Sequence, residues 1–394
     1  MADTKKTKSF DSGMNGAPVL SGTAGALIAV LDAVLVTGLG LQTATSVVVT
    51  GGIATVTYAT AHAFRVDAVA LVAGATPTGL NGEKRILSVL GANSITFDAS
   101  GIADGTATGT ITSKVAPAGW TKAFTGTNVA AYKITPPEGT GFYLRVDDTG
   151  TTTARVRGYE TMSDVNTGTG PFPTVAQWAA SGLWWSKSNA ASAAARPWRI
   201  TVDDRGVYFF PKHADTLYES QGNFFGDILS LKSGDPYACM IRGNTADRSG
   251  AVGGSFGDDL VMADGAQAYD GAYMARAANT LGGAQKVSTA PVMSVGLPAA
   301  HVTGSVGAPY PLPADNGLML TPVVIHNAQG PRGHLPGLRY SPQVVNASFS
   351  TGDVVLGSGV MAGKKVMAIR LGNLSSAPGQ CGEVFVDHIS DWRV

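Results

Sequence analysis

Residues 46–58 read SVVVTGGIATVTY, two runs rich in β-branched residues on either side of Gly51 and Gly52. Val, Ile and Thr are stiff at χ1 and pack well on a pleated surface. A glycine pair between two such runs supplies the backbone freedom of a tight hairpin turn. The pattern continues downstream at 69–72, 86–89, 95–97 and 109–112, with turn material at 74–79, Asn81-Gly82, Ala92-Asn93 and Asp104-Gly105. Six short strands in about 70 residues imply a small β-barrel or sandwich. This module is expected over 46–114. It reads as an insertion, because the apolar helix before it needs a partner and the segment preceding Ser46 has none of its own.

Upstream, residues 1–18 form a flexible or strand-forming arm. Then Leu27, Ile28, Leu31, Val34 and Leu35 recur at spacings of three and four, as one helix face does. Ser21 or Thr23 can cap this helix and Gly38 can stop it. Asp32 should face away from the packed stripe. The stripe is so broad that the helix is expected to be buried, so residues 1–45 should pack on the main body.

Residues 115–394 are expected to build that body, a β-sandwich-like unit. Phe142, Leu144 and Val146 alternate with Tyr143, Arg145 and Asp147, as in a half-buried strand, and 155–159 is a partner. Segments 198–202 and 207–210 flank Asp203–Gly206 as a hairpin. Between 155–159 and that hairpin, 172–185 carries three tryptophans around a short helical piece at 174–180. Further strands are expected at 225–231, 237–241, 292–296, 318–325, 344–349, 354–356, 366–371 and 383–388. The glycine- and alanine-rich stretch at about 251–283 shows little periodicity and reads as a long loop. The fold class is therefore mainly β, with one N-terminal buried helix.

Composition narrows the function. Charged residues make up 14% of the chain, against a usual ~25%. Glycine takes 51 of 394 positions. Low surface charge suits a protein whose flanks are covered by neighbouring subunits. The 28 basic and 28 acidic residues cancel, so there is no basic footprint for nucleic acid. The most apolar stretch, 24–36, is too short for a bilayer span and contains Asp32, so no membrane segment is expected. The N-terminus lacks the apolar core of a secretory signal. Cys239 and Cys381 cannot make a disulfide framework alone and read as reduced residues.

The chemical motifs are near-misses. Residues 357–365, GSGVMAGKK, are one residue too long for a phosphate-binding loop, and Lys365 stands where Ser or Thr should be. His213 and Asp215 with Asp203 and Asp204 could meet across a hairpin, yet Asp-Asp before Arg-Gly is turn chemistry. Residues 164–170, DVNTGTG, resemble a calcium loop, but the twelfth position is Val175 rather than Glu. GGSFG at 253–257 matches a nucleophile elbow around Ser255 only as text. No catalytic residue, cofactor site or metal site is assigned, and no enzyme activity is expected. Trp178, Trp184 and Trp185 remain as candidates for partner or glycan contact, with core packing as the alternative.

Several stretches together resemble a family of tailed-bacteriophage virion proteins. They are residues 10–40, FDSGMNGAPVLSGTAGALIAVLDAVLVTGLG, with 143–174, 184–210, 224–244, LPGLRYSPQ at 335–343 and the closing DWRV. Residues 54–89 and 97–112 look like a small β module that recurs in phage structural proteins. The resemblance implies a virion component made in the host bacterial cytoplasm, without known chemistry. Its partners would be other copies of itself and other virion proteins. A tail-associated place at the tip, baseplate or connector is expected first. A capsid decoration or cement protein is the alternative, and a receptor- or host-glycan-binding module the second.

Overall fold

The computed structural model describes residues 6–178, 182–214, 221–247, 249, 270–291, 309–327, 329–343, 345, 348–371 and 382–393. The expected strand at 292–296, Ser255 and Cys381 lie outside them.

Thr50 faces Ile53 across Gly51 and Gly52, whose φ values of 56° and 77° suit a type I′ hairpin turn. From this hairpin a barrel closes. The strands Leu39–Thr50, Ile53–Tyr58, Ser94–Asp98, Gly82–Val89, Val69–Ala73 and Thr112–Val115 pair in that order, and the last returns to the first. Val47, Val49, Val56, Ile86, Ile95 and Phe97 are buried in it. The first strand starts at Leu39 rather than at 46. Its leading half pairs with Thr112–Val115 and its trailing half with Ile53–Tyr58. The LGLQTAT of that leading half has no β-branched run to announce a strand. The strand expected at 109–112 lies instead at Thr112–Val115, after Gly109 at φ 107°.

The body is built around a thirteen-stranded sheet. Lys8–Asp11 forms one edge against Trp198–Val202, and Gly206–Pro211, Asn223–Asp227 and Cys239–Asn244 follow. Beyond them come Leu183–Ser186, Thr153–Met162, Tyr143–Asp147, Val129–Lys133 and Thr121–Gly126. The barrel therefore lies, in chain order, between two strands of this sheet. A second sheet runs Ser288–Pro291, Thr321–Asn327, Gly330–Tyr340, Gly382–Asp387, Lys365–Leu371, Val354–Leu356.

The large sheet is covered on both faces. Val207, Phe209, Phe225 and Ile241 share a core with Leu27, Val30, Leu31 and Val34 of the N-terminal helix. Tyr208, Phe210, Phe224 and Met240 share another with Val323, Leu338, Ile369 and Val386 of the second sheet. Every residue of Gly206–Pro211 is consequently buried, and the alternation of a half-exposed strand disappears. The same reason corrects the loop expected at 251–283. Asp270–Met274 is a strand paired with Cys239–Asn244, with Ala272 and Met274 in one core and Tyr273 in the other. Small residues buried on both faces carry no period-two signal. Residues 251–269 lie outside the described part.

The helix is α over Ala26–Leu31 and widens to a π-helix over Asp32–Thr37. Gly38 ends it at φ 81°, where a Cβ would sit 2.4 Å from the Val115 carbonyl oxygen. Ala118 N–H donates to the Val34 carbonyl and Trp120 N–H to that of Leu35, at 2.9 and 3.0 Å, tying the helix to the chain beyond the barrel.

Candidate functional site

The three tryptophans fall on one stretch but not in one environment. Leu183–Ser186 is a central strand, so its alternate side chains point to opposite faces. Trp185 points inward. It is fully buried, donates its indole N–H to the Arg242 carbonyl at 2.8 Å and packs on Phe209. Trp184 points outward and is half-buried, with the Arg155 guanidinium 3.3 Å from its ring centroid. Trp178 meets Trp184 edge-to-face at 5.9 Å. It sits in a single turn at 174–178, where Thr174 and Gln177 exchange side-chain-to-backbone hydrogen bonds as in a capping box. One face of Trp184 is thus already occupied by a cation. A sugar stacking there would have to displace an arrangement of about 0.5–2 kcal/mol.

A second constellation holds the N-terminal helix. Asp148, at the end of the strand Tyr143–Asp147, accepts from Leu27 N–H at 2.7 Å and Ile28 N–H at 3.1 Å through Oδ2. Those are orphan donors of the first helical turn. Lys187 bonds Asp148 Oδ1 and donates to the carbonyls of Thr23 and Gly150 at 2.8 Å each. Both side chains are wholly buried. Burial pushes the Asp148 carboxyl up, against the pull of Lys187 and the two helix N–H groups. The cap is therefore not Ser21 or Thr23, which hydrogen-bond each other. Nor does Asp32 simply face solvent. It accepts from the Tyr132 hydroxyl and the Lys122 ammonium at 2.8 Å each.

Charged side chains also clamp the barrel to the body. Lys8 Nζ donates to Glu83 Oε1 and to the Pro117 carbonyl, at 2.8 Å each. Lys365 reaches Asp67 at 2.6 Å, and Arg85 donates to the carbonyls of Thr7 and Ile389. Residues 7–8 and 389 thus meet on the barrel. Near the C-terminus, Arg393 holds Asp203 through Nε at 2.7 Å, beside a polar cleft of about 520 Å³ that includes Glu138, Asp227 and Lys232. Burial pushes the Asp227 carboxyl up, opposed by the Thr140 hydroxyl at 2.6 Å.

Three of the near-miss motifs resolve into turns, while 253–257 and Asp215 lie outside the described residues. Residues 357–365 join the strands Val354–Leu356 and Lys365–Leu371 as a hairpin loop. Asp203 caps its own turn by accepting from Arg205 N–H, while His213 lies beyond the open end of that hairpin, where Trp198 faces Pro211. In 164–170, Asp164 Oδ1 accepts from Asn166 and Thr167 N–H, and Arg145 takes the Val165 carbonyl and the Asn166 side chain. Among the described residues no group of three His, Cys, Asp or Glu side chains is placed to hold a metal, and no helix is long and apolar enough to cross a membrane.

Exposed large apolar side chains are scattered over the described residues, and three of them fall on one hairpin. Val354 and Leu356 lie on an edge strand whose only described partner is Lys365–Leu371, and Val360 at the hairpin tip is 99% exposed. On the barrel, Leu41, Leu87 and Leu90 are exposed. None of these was singled out by sequence, because each sits in a strand or turn whose apolar content also suits a core. No family model matches the chain, and no curated protein does.

Proposed function

We propose that the chain is a structural component of a tailed-bacteriophage virion, tail-associated, acting through assembly with copies of itself and with neighbouring proteins. The observation that carries the assembly is the apolar edge hairpin. An edge strand presents unpaired backbone groups, and proteins that remain monomeric blunt such edges with charge or proline. Here Val354, Leu356 and Val360 stand in solvent. The clamped barrel supports the same reading, since a module held by residues 7–8 and 389 carries contact forces without swinging. The virion identity rests on the resemblance of residues 10–40, 143–174, 184–210 and 224–244.

Sedimentation velocity of the full chain tests the assembly. A closed oligomer is expected, and Leu356→Lys with Val360→Lys should shift it to monomer while leaving the far-UV spectrum unchanged. A wild-type monomer at all concentrations would sink the reading. Copy number in purified particles places the chain. Roughly six or twelve suits a tail ring, and on the order of hundreds suits a lattice decoration.

A further inference from the structure

Most buried or half-buried cations here are matched, but Arg199 is not. It lies on Trp198–Val202, opposite Asp11 on one side and Phe210 on the other. Its guanidinium reaches across to the second sheet. There its sole hydrogen bond among the described residues runs from Nη1 to the Met367 sulfur, at 3.3 Å. A thioether is a weak acceptor, and four of the five N–H donors have no partner among the described residues. Room for the group comes from Gly352, at φ 102°, where a Cβ would stand 2.9 Å from Nη2.

The nearest carboxylate is engaged elsewhere. Asp11 Oδ1 accepts from Gly13 N–H at 2.8 Å and faces Arg65 at 3.6 Å. Arg199 therefore opens on two adjoining clefts. One, of about 230 Å³, is lined by Ser12, Trp198, Lys212 and Thr351, and the Lys212 ammonium also has no ion-pair or hydrogen-bond partner among the described residues. The other, of about 270 Å³, has Met14, Val66, Ala68 and Met367 in its wall, with Arg65 and His388. Arg199 lines both clefts, with Lys212 in the first and the apolar wall in the second, an arrangement that suits a small anion with a hydrocarbon part. Asp11 in both clefts disfavours a dianion more than a monoanion, by simple Coulomb repulsion. A guanidinium fork matches a carboxylate through two parallel hydrogen bonds.

We propose that Arg199, with Lys212 beside it, is the anchor of a binding site for a carboxylate group carrying a short apolar chain. The binding itself does not rest on the virion reading; only the choice between its two sources uses the oligomer that reading expects. The carboxylate could be a free small molecule or an acidic side chain of a neighbouring copy.

Calorimetric titration of the full chain with sodium propionate at constant ionic strength tests it, with inorganic phosphate as the second probe. Saturable propionate binding is expected. Arg199→Gln should weaken it by about tenfold or more and Lys212→Gln by a few-fold, while Asp11→Asn should tighten it a few-fold. Because the two single-charge changes at Lys212 and Asp11 act in opposite directions, they decide the matter even if Arg199→Gln fails to fold. Absence of saturable binding, wild-type binding by Arg199→Gln, or phosphate binding tighter than propionate would overturn the proposal. Sedimentation with and without propionate then separates the sources. Dissociation of the oligomer points to a neighbour's side chain, and an unchanged oligomer points to a free carboxylate.

Discussion

Lys187→Met is the sharpest perturbation of the buried helix cap. Methionine keeps the length and most of the volume of lysine but removes the ammonium. Three acceptors then lose their donor at once: Asp148 Oδ1 and the carbonyls of Thr23 and Gly150. Both partners of the ion pair are 0% exposed, so water cannot substitute. Breaking a buried pair from one side typically costs about 3–5 kcal/mol, because an uncompensated charge is left behind. The Asp148 carboxyl is already raised by burial, so in the variant it rises further. For an acid whose folded pKa lies above its unfolded value, the folded state holds more protons in the window between the two, and stability falls as pH climbs through it. The loss in Lys187→Met should accordingly be largest near pH 7 and shrink on acidification. Adding Asp148→Asn removes the charge and keeps an oxygen for Leu27 and Ile28 N–H. The double variant should recover more than half of the lost stability, with the two bare carbonyls accounting for the rest. Urea denaturation of wild type, both single variants and the double variant measures this as a cycle. A Lys187→Met loss under about 1 kcal/mol, or a double variant no more stable than the single, would refute the reasoning.

Three further outcomes follow from other contacts. Burial pushes the His388 imidazole down to about 4, with Asp67 opposing and Arg85, Lys365 and Arg199 reinforcing. The unfolded chain then binds the extra proton between about pH 4 and 6.5, so this group's stabilisation is full above that window and drains as pH falls through it, by up to ~1.4 kcal/mol per pH unit. His388→Gln should flatten the stability profile there, and an unchanged slope would count against the assignment. Arg393→Met should cost about 2–4 kcal/mol by stranding Asp203, whose side chain is 1% exposed, and chemical denaturation measures it. Glu83→Gln, on the half-exposed side of the barrel clamp, should cost no more than about 1 kcal/mol. Its effect should fade in high salt, and a salt-independent loss would contradict a chiefly electrostatic clamp.

How much of this was legible depends on how local each cause is. The barrel strands at 53–58, 69–72 and 95–97 could be read because β-branched runs and glycine turns specify a hairpin within a dozen residues. The Asp203–Gly206 hairpin was readable for the same reason. Gly330–Tyr340, GPRGHLPGLRY, was not, since it carries three glycines and two prolines. Those residues argue against a strand, and it is pairing with Thr321–Asn327 on one side and Gly382–Asp387 on the other that holds it extended. Asp270–Met274 was hidden in a loop-like composition for a similar reason. Among the candidate site residues, the tryptophans were visible as a group. Their separation into one core anchor and one cation-capped surface ring follows from strand parity, which needs the pairing to be known.

Sequence alone determined that the chain is β-dominated, that a small module stands after an apolar helix, and that its nucleotide and calcium look-alikes read as a glycine turn and an Asx-rich loop. Each of those rests on chemistry within a short window. Tertiary structure alone decided that the large sheet is covered on both faces, that the helix is capped by a carboxylate 121 residues away, and that the Arg199 guanidinium bonds a thioether rather than a carboxylate among the described residues. Burial and pairing across such separations depend on where the whole chain folds back, and no local pattern encodes that.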